Sequence, residues 1–185
     1  MKNLIENIIS KCASKESVIY LRLLSFTESI FFPVPTDALL APMVLSKKHN
    51  WIKISFIAAF WSVVGGIVGY VLGFYFFEFV EPLIQKLHLY DDYINAQNTF
   101  NKYGIFVLAI AAFTPVPYKV FTISAGALSY NFLIFILISF IGRYLRFFLV
   151  AFICQKYNEQ ILHIVNRYTL YLTILLIFVL IYLWI

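Results

Sequence analysis

The stretch Phe31–Pro42, FFPVPTDALLAP, sets three prolines and an aspartate inside an otherwise apolar run. A proline within a helix removes a backbone N–H and crowds the preceding turn. Pro33 and Pro35 therefore leave the carbonyls of Ser29 and Phe31 without helical partners. The same core returns in Phe113–Gly126, FTPVPYKVFTISAG, where Pro115 and Pro117 do this to Ala111 and Phe113. Superposing the cores pairs Pro33 with Pro115, Phe31 with Phe113 and Asp37 with Lys119, at an offset of 82 residues. Opposite charges thus occupy matching points of two broken helices.

The surroundings of these breaks are those of a membrane protein. Of 185 residues, 62% are hydrophobic and 12% charged, with 20 Phe and 13 Tyr. That exceeds the apolar content of a soluble domain, and the aromatics suit a lipid interface. Tyr168–Ile185 carries no charge over 18 residues and reads as a membrane span. Ile54–Phe77 and Phe132–Ile153 are further candidate spans. A soluble fold would have too little polar surface to cover three such segments.

Unpaired carbonyls are not tolerated against lipid, only inside protein or beside a wet cavity. Each proline core is therefore expected to tip a re-entrant hairpin, one short arm in and one out. The whole is expected to be an all-α integral membrane protein of two inverted repeats, at about 20–80 and 103–155. A polar connector joins them at 81–102, and Asp91 and Asp92 are read as a solvated helix start. An amphipathic segment at 1–19 precedes the 20–155 membrane domain, and a transmembrane helix at 156–185 follows it. The amphipathic segment is expected to be retained, since Glu6, Asn7, Lys11 and Lys15 interrupt any signal-peptide core. Counting crossings places Lys2, Lys11, Lys15, Arg22, Lys47, Lys48, Lys53, Lys156 and Arg167 on one side. Only Lys86 and Lys102 fall on the other. That bias makes the basic side cytoplasmic, with the N-terminus inside. The expected location is the plasma membrane, meaning the inner membrane of a bacterium.

Five ionisable residues remain at membrane depth: Glu28, Asp37, Lys119, Arg143 and Arg146. One such charge costs about 2.5–3.5 kcal/mol, so five unpaired would cost on the order of 10 kcal/mol. They must pair or face water. Arg143 and Arg146 share a helix face with Ser139 and Gly142. Helix starts after each tip favour anions. The five are therefore the candidate substrate- or ion-binding set, suited to a phosphate headgroup, with Asp37 and Glu28 balancing charge or carrying a proton or cation. A salt-bridge cluster that only fixes the fold is the alternative. Gly65, Gly69 and Gly73 form a doubled G-x-x-x-G and read as a helix-packing face.

Other chemistries find no support. His49, His88 and His163 lack ligand spacing, so no metal is expected. Cys12 and Cys154 do not make a disulfide framework. No Ser, Cys or His arrangement suggests a triad, so no catalytic residue is nominated and the protein is read as a non-enzyme. Neither a cofactor nor a nucleic-acid partner is expected, since the basic residues flank membrane spans.

The segments ESIFFPVPTDALLAP, FTPVPYKVFTISAGAL and IGRYLRFF resemble the DedA superfamily, also called SNARE-associated or VTT-domain proteins, and within it the YqaA-type branch. The resemblance covers Glu28 to Ala151. It implies two re-entrant hairpins with inverted symmetry and a role as lipid flippase, lipid scramblase or proton-dependent transporter. It also implies functional acids around the first hairpin and functional bases at or after the second, here Glu28, Asp37, Lys119, Arg143 and Arg146. Two departures point to a different substrate: Lys119 stands where many members have arginine, and the Arg143–Arg146 pair lies on the following helix. The leading expectation is translocation of a phospholipid or lipid-phosphate headgroup. The alternatives are a small-solute transporter coupled to protons or a monovalent cation, and a non-transporting assembly factor. Membrane lipids are the expected partners, and a homo-oligomer is compatible with the sequence.

Overall fold

The Pro33–Pro35 core separates two helices in the computed structural model, which describes residues 12–14, 16–87, 90–114 and 118–157. Helix α1 (Ser17–Ile30) ends before the core and α2 (Asp37–Leu45) begins after it. A long helix, α3 (Trp51–Lys86), follows. The order then repeats: α4 (Tyr90–Phe113), α5 (Tyr118–Ala127) and a long α6 (Phe132–Tyr157). There is no strand among the described residues. The second core Pro115–Pro117, the segment 1–11, His88, His163 and the expected span at 168–185 lie outside the described residues.

The turns into the long helices are built alike. Lys47 and Ser129 take left-handed backbone conformations, with φ of 54° and 51°. Asn50 and Asn131 then cap the helices, the Asn50 carboxamide accepting from the amides of Ile52 and Lys53 at 3.0 and 3.1 Å, and Asn131 from Ile134 at 3.1 Å. A side-chain oxygen in this position satisfies amides that have no carbonyl partner in the first turn. Behind Ser129, the amide of Tyr130 reaches the carbonyl of Ala125 and that of Ser129 reaches Gly126, closing a Schellman motif.

Helices α3 and α6 are long and apolar enough to cross a membrane. They pack antiparallel: Trp51 meets Phe148 and Phe152, Phe56 meets Phe140 and Tyr144, and Tyr70 meets Phe132 and Phe135. Each remaining helix leans on them. The pre-break helix packs on the long helix of its own unit, α1 on α3 and α4 on α6. The post-break helix packs chiefly on the long helix of the other unit, α5 on α3 and α2 on α6.

Small residues permit this. The buried face of α1 is Ser17, Leu21, Ser25 and Ser29, one every four residues. It meets α3 at Gly65, where a Cβ would strike the carbonyl of Phe26. One turn on, Gly69 meets Thr122 of α5, and Gly73 and Gly126 each lie against the other helix's backbone, at Ile123 and Tyr70. The glycine stripe thus serves two partners in succession rather than one. Close backbone approach of this kind replaces the hydrophobic drive that lipid removes.

Two apolar clusters result. One gathers Leu21, Leu40, Met43, Ala58, Phe147 and Ala151; the other gathers Tyr70, Leu108, Ala125, Tyr130 and Phe135. Between them lies a polar layer at Ser62 of α3 and Ser139, Arg143 and Arg146 of α6. Helix α3 runs on past the expected Phe77 to Lys86, over Pro82. The missing N–H there forfeits a bond to the carbonyl of Glu78, near the exposed end.

Candidate functional site

The polar layer is built on one face of α6. Arg143 is buried to 1% exposure. Its Nη2 donates to Glu28 Oε2 at 3.0 Å, and its Nε donates to Ser62 Oγ at 2.7 Å. Ser62 continues to Ser29 Oγ at 2.7 Å. The guanidinium carbon lies over the rings of Tyr118 and Phe147, 5.0 and 4.6 Å from their centroids. An arginine suits such a place because its delocalised cation stacks on rings while its edge donates. Glu28 accepts a second bond, from the hydroxyl of Thr36.

One turn further, Arg146 Nη2 donates to Asp37 Oδ2 at 2.7 Å, with side-chain exposures of 10% and 8%. Its Nη1 donates to the carbonyl of Thr114, the residue after α4. A cation there completes a helix C-terminus whose carbonyls lack partners.

The two arginines therefore share a pattern. Arg143 touches Glu28 before the first break and Tyr118 after the second. Arg146 touches Asp37 after the first break and Thr114 before the second. Glu28, Asp37, Arg143 and Arg146 come together as two ion pairs with no net formal charge. Pairing is what makes four ionised groups tolerable here, since removing one partner of a buried pair costs about 3–5 kcal/mol.

Lys119 stands apart. Its matching position to Asp37 suggested complementary charges across one site, but Asp37 pairs with Arg146. Lys119 Nζ instead donates to the carbonyl of Phe31 at 3.1 Å, at an exposed edge. Phe31 is one of the carbonyls that the prolines deprive of a helical partner, so the lysine of one break completes the end of the other.

The sequence reading missed Ser29, Thr36, Ser62, Thr114 and Tyr118. The signal for Ser62 was present, because it stands three residues before Gly65 on the same stripe. Asp37 Oδ1, Tyr118 Oη, Ser25 Oγ and Ser139 Oγ are buried without a hydrogen-bond partner. Tyr118 and Ser139 lie side by side without reaching bonding geometry. Uncompensated polar atoms cluster around the arginines, where a polar ligand or water would be stabilised. Among the described residues no group of His, Cys, Asp and Glu is arranged to hold a metal.

Comparison with known proteins places this architecture. Residues 15–156 match the VTT domain. An uncharacterized protein of Haemophilus influenzae is 42% identical over 135 residues, covering 73% of this chain and 70% of that one. An uncharacterized homolog in Histophilus somni is 39% identical over 132 residues, 71% of this chain and 69% of the other. An uncharacterized protein of the archaeon Methanocaldococcus jannaschii is 27% identical over 124 residues, 67% and 75% of the two chains. No solved structure matches the chain.

Proposed function

The chain belongs to the VTT domain family of membrane proteins, and we propose that within it, as a YqaA-type member, this protein translocates a phosphate-bearing lipid headgroup. The observation that carries this reading is that each buried arginine holds one residue from each helix break. Two guanidinium groups at mid-depth, each able to grip a phosphate through two nitrogens, make an anion relay. In the present arrangement their own carboxylates occupy them. A headgroup phosphate that displaces Glu28, which is 19% exposed, and Asp37 would be gripped by both arginines.

In this reading the breaks are re-entrant tips and the two units are inverted repeats. The antiparallel run of α3 and α6 and the matching Asn-capped turns support that. Inverted units that swap their post-break helices suit alternating access, in which one half rocks against the other. The protein sits in the plasma membrane with its N-terminus inside, on the strength of the basic bias, and acts by binding rather than by catalysis.

The second reading is a proton-coupled small-solute transporter, favoured by the closed packing around Arg143. A translocation assay in sealed proteoliposomes separates the two. Lipid translocation predicts that labelled phospholipid in the inner leaflet becomes accessible to an external quencher. Proton movement driven by a solute gradient, with no lipid exchange, would replace the first reading with the second. Glu28→Gln removes the charge that holds Arg143, so it should change the translocation rate while leaving insertion intact.

A further inference from the structure

Away from the ion pairs, the start of α3, the turn before it and the first half of α1 line an open cavity of about 480 Å³. Three cations line it: Arg22 of α1, Lys48 of the turn and Lys53 of α3. Neither ion pair in the described structure involves them. Val18, Ile54 and Ile57 form an apolar wall. The turn bearing Lys48 is held in place, because His49 Nε2 donates to the carbonyl of Cys12 at 3.0 Å.

Depth decides what such a cavity suits. Lys53 precedes Ser62 by nine residues, about 13 Å along the helix. The hydrocarbon half-thickness of a bilayer is about 15 Å. If the polar layer marks the midplane, the cations stand at the level of lipid phosphates, and Ile57 stands at the level of the acyl chains. A cytoplasmic charge bias explains basic residues in the flanks. It does not require them to converge on a cavity with an apolar wall. The helix N-terminus is not the attraction, since its Ile52 and Lys53 amides are already bonded to Asn50.

We propose that this cavity is a binding site for the phosphate of an anionic glycerophospholipid, with Arg22, Lys48 and Lys53 around the phosphate and an acyl chain along Val18, Ile54 and Ile57. This goes beyond the transport reading and stands even where the buried pairs serve only the fold.

The test is native mass spectrometry of the full chain in neutral detergent, with phosphatidylglycerol or phosphatidylcholine added. One phosphatidylglycerol should bind saturably, about tenfold more tightly than phosphatidylcholine. Arg22→Gln/Lys53→Gln should weaken it about tenfold. Lys86→Gln/Lys102→Gln removes the same charge elsewhere and should change nothing, and Arg22→Lys/Lys53→Arg should keep the lipid. Equal loss in the two charge-removing variants, or equal retention of both lipids, overturns the site. Displacement by millimolar inorganic phosphate would assign the cavity to the free anion and overturn the lipid as its occupant. None of these variants touches the buried pairs, so failure here leaves the translocation reading to its own assay.

Discussion

Arg146 donates from one terminal nitrogen to Asp37 and from the other to the Thr114 carbonyl, and a lysine, shorter and with its donors on a single nitrogen, lacks that planar fork. Arg146→Lys should therefore insert normally and melt at lower temperature in detergent, with headgroup translocation at least about tenfold slower. Full activity in this variant would reduce the pair to charge balance. Ser62→Ala leaves Arg143 Nε without its partner in the buried layer and should cost about 1–3 kcal/mol in unfolding free energy. Thermal unfolding of purified protein checks it, and Thr99→Ala, whose exposed hydroxyl bonds the Asn95 carbonyl one turn back in its own helix, serves as the comparison. The five charges stood out in the sequence because ionisable residues are costly at membrane depth. Their partners did not. Superposing the two proline cores matched Asp37 with Lys119, but positions related by a repeat are equivalent, not adjacent. The partner of Asp37 came from α6, 109 residues away.

At the level of helices, the first break and the two long apolar helices were legible because prolines and apolar runs act locally. The cross-packing of α2 and α5 on the opposite units was not, since it depends on which small residues meet. Gly126 carries the clearest consequence. Its Cα lies against the Tyr70 carbonyl, so Gly126→Val forces α5 away from α3 and should destabilise by about 1–3 kcal/mol. Unaltered stability would mean that α5 is free to shift. Gly104→Ala is a milder comparison, because the nearest atoms there belong to the Tyr130 and Phe100 rings, which can turn.

For the whole molecule, orientation is the first thing to establish. Cysteines placed singly at Lys47 and Asp91, both exposed, should react with an impermeant maleimide from opposite sides. Labelling from one side would remove the inverted arrangement. The native thiols will interfere little: Cys12 and Cys154 are both buried, and burial pushes the Cys12 thiol above its ordinary pKa, so less reactive thiolate is present at neutral pH. The sequence suggested a candidate span ending near Phe77. In the structure α3 spans 36 residues, about 54 Å, against a hydrocarbon core of about 30 Å. Such a helix is a lever. It touches α1, α5 and α6 around the arginines, and from Ser62 its tail reaches about 36 Å to Lys86. A tilt of about 5° at the polar layer, too small to see among the buried pairs, would carry Lys86 by about 3 Å. Opening of the ion pairs should therefore be most visible far from them, as a changed distance between spin labels at Lys86 and Lys47.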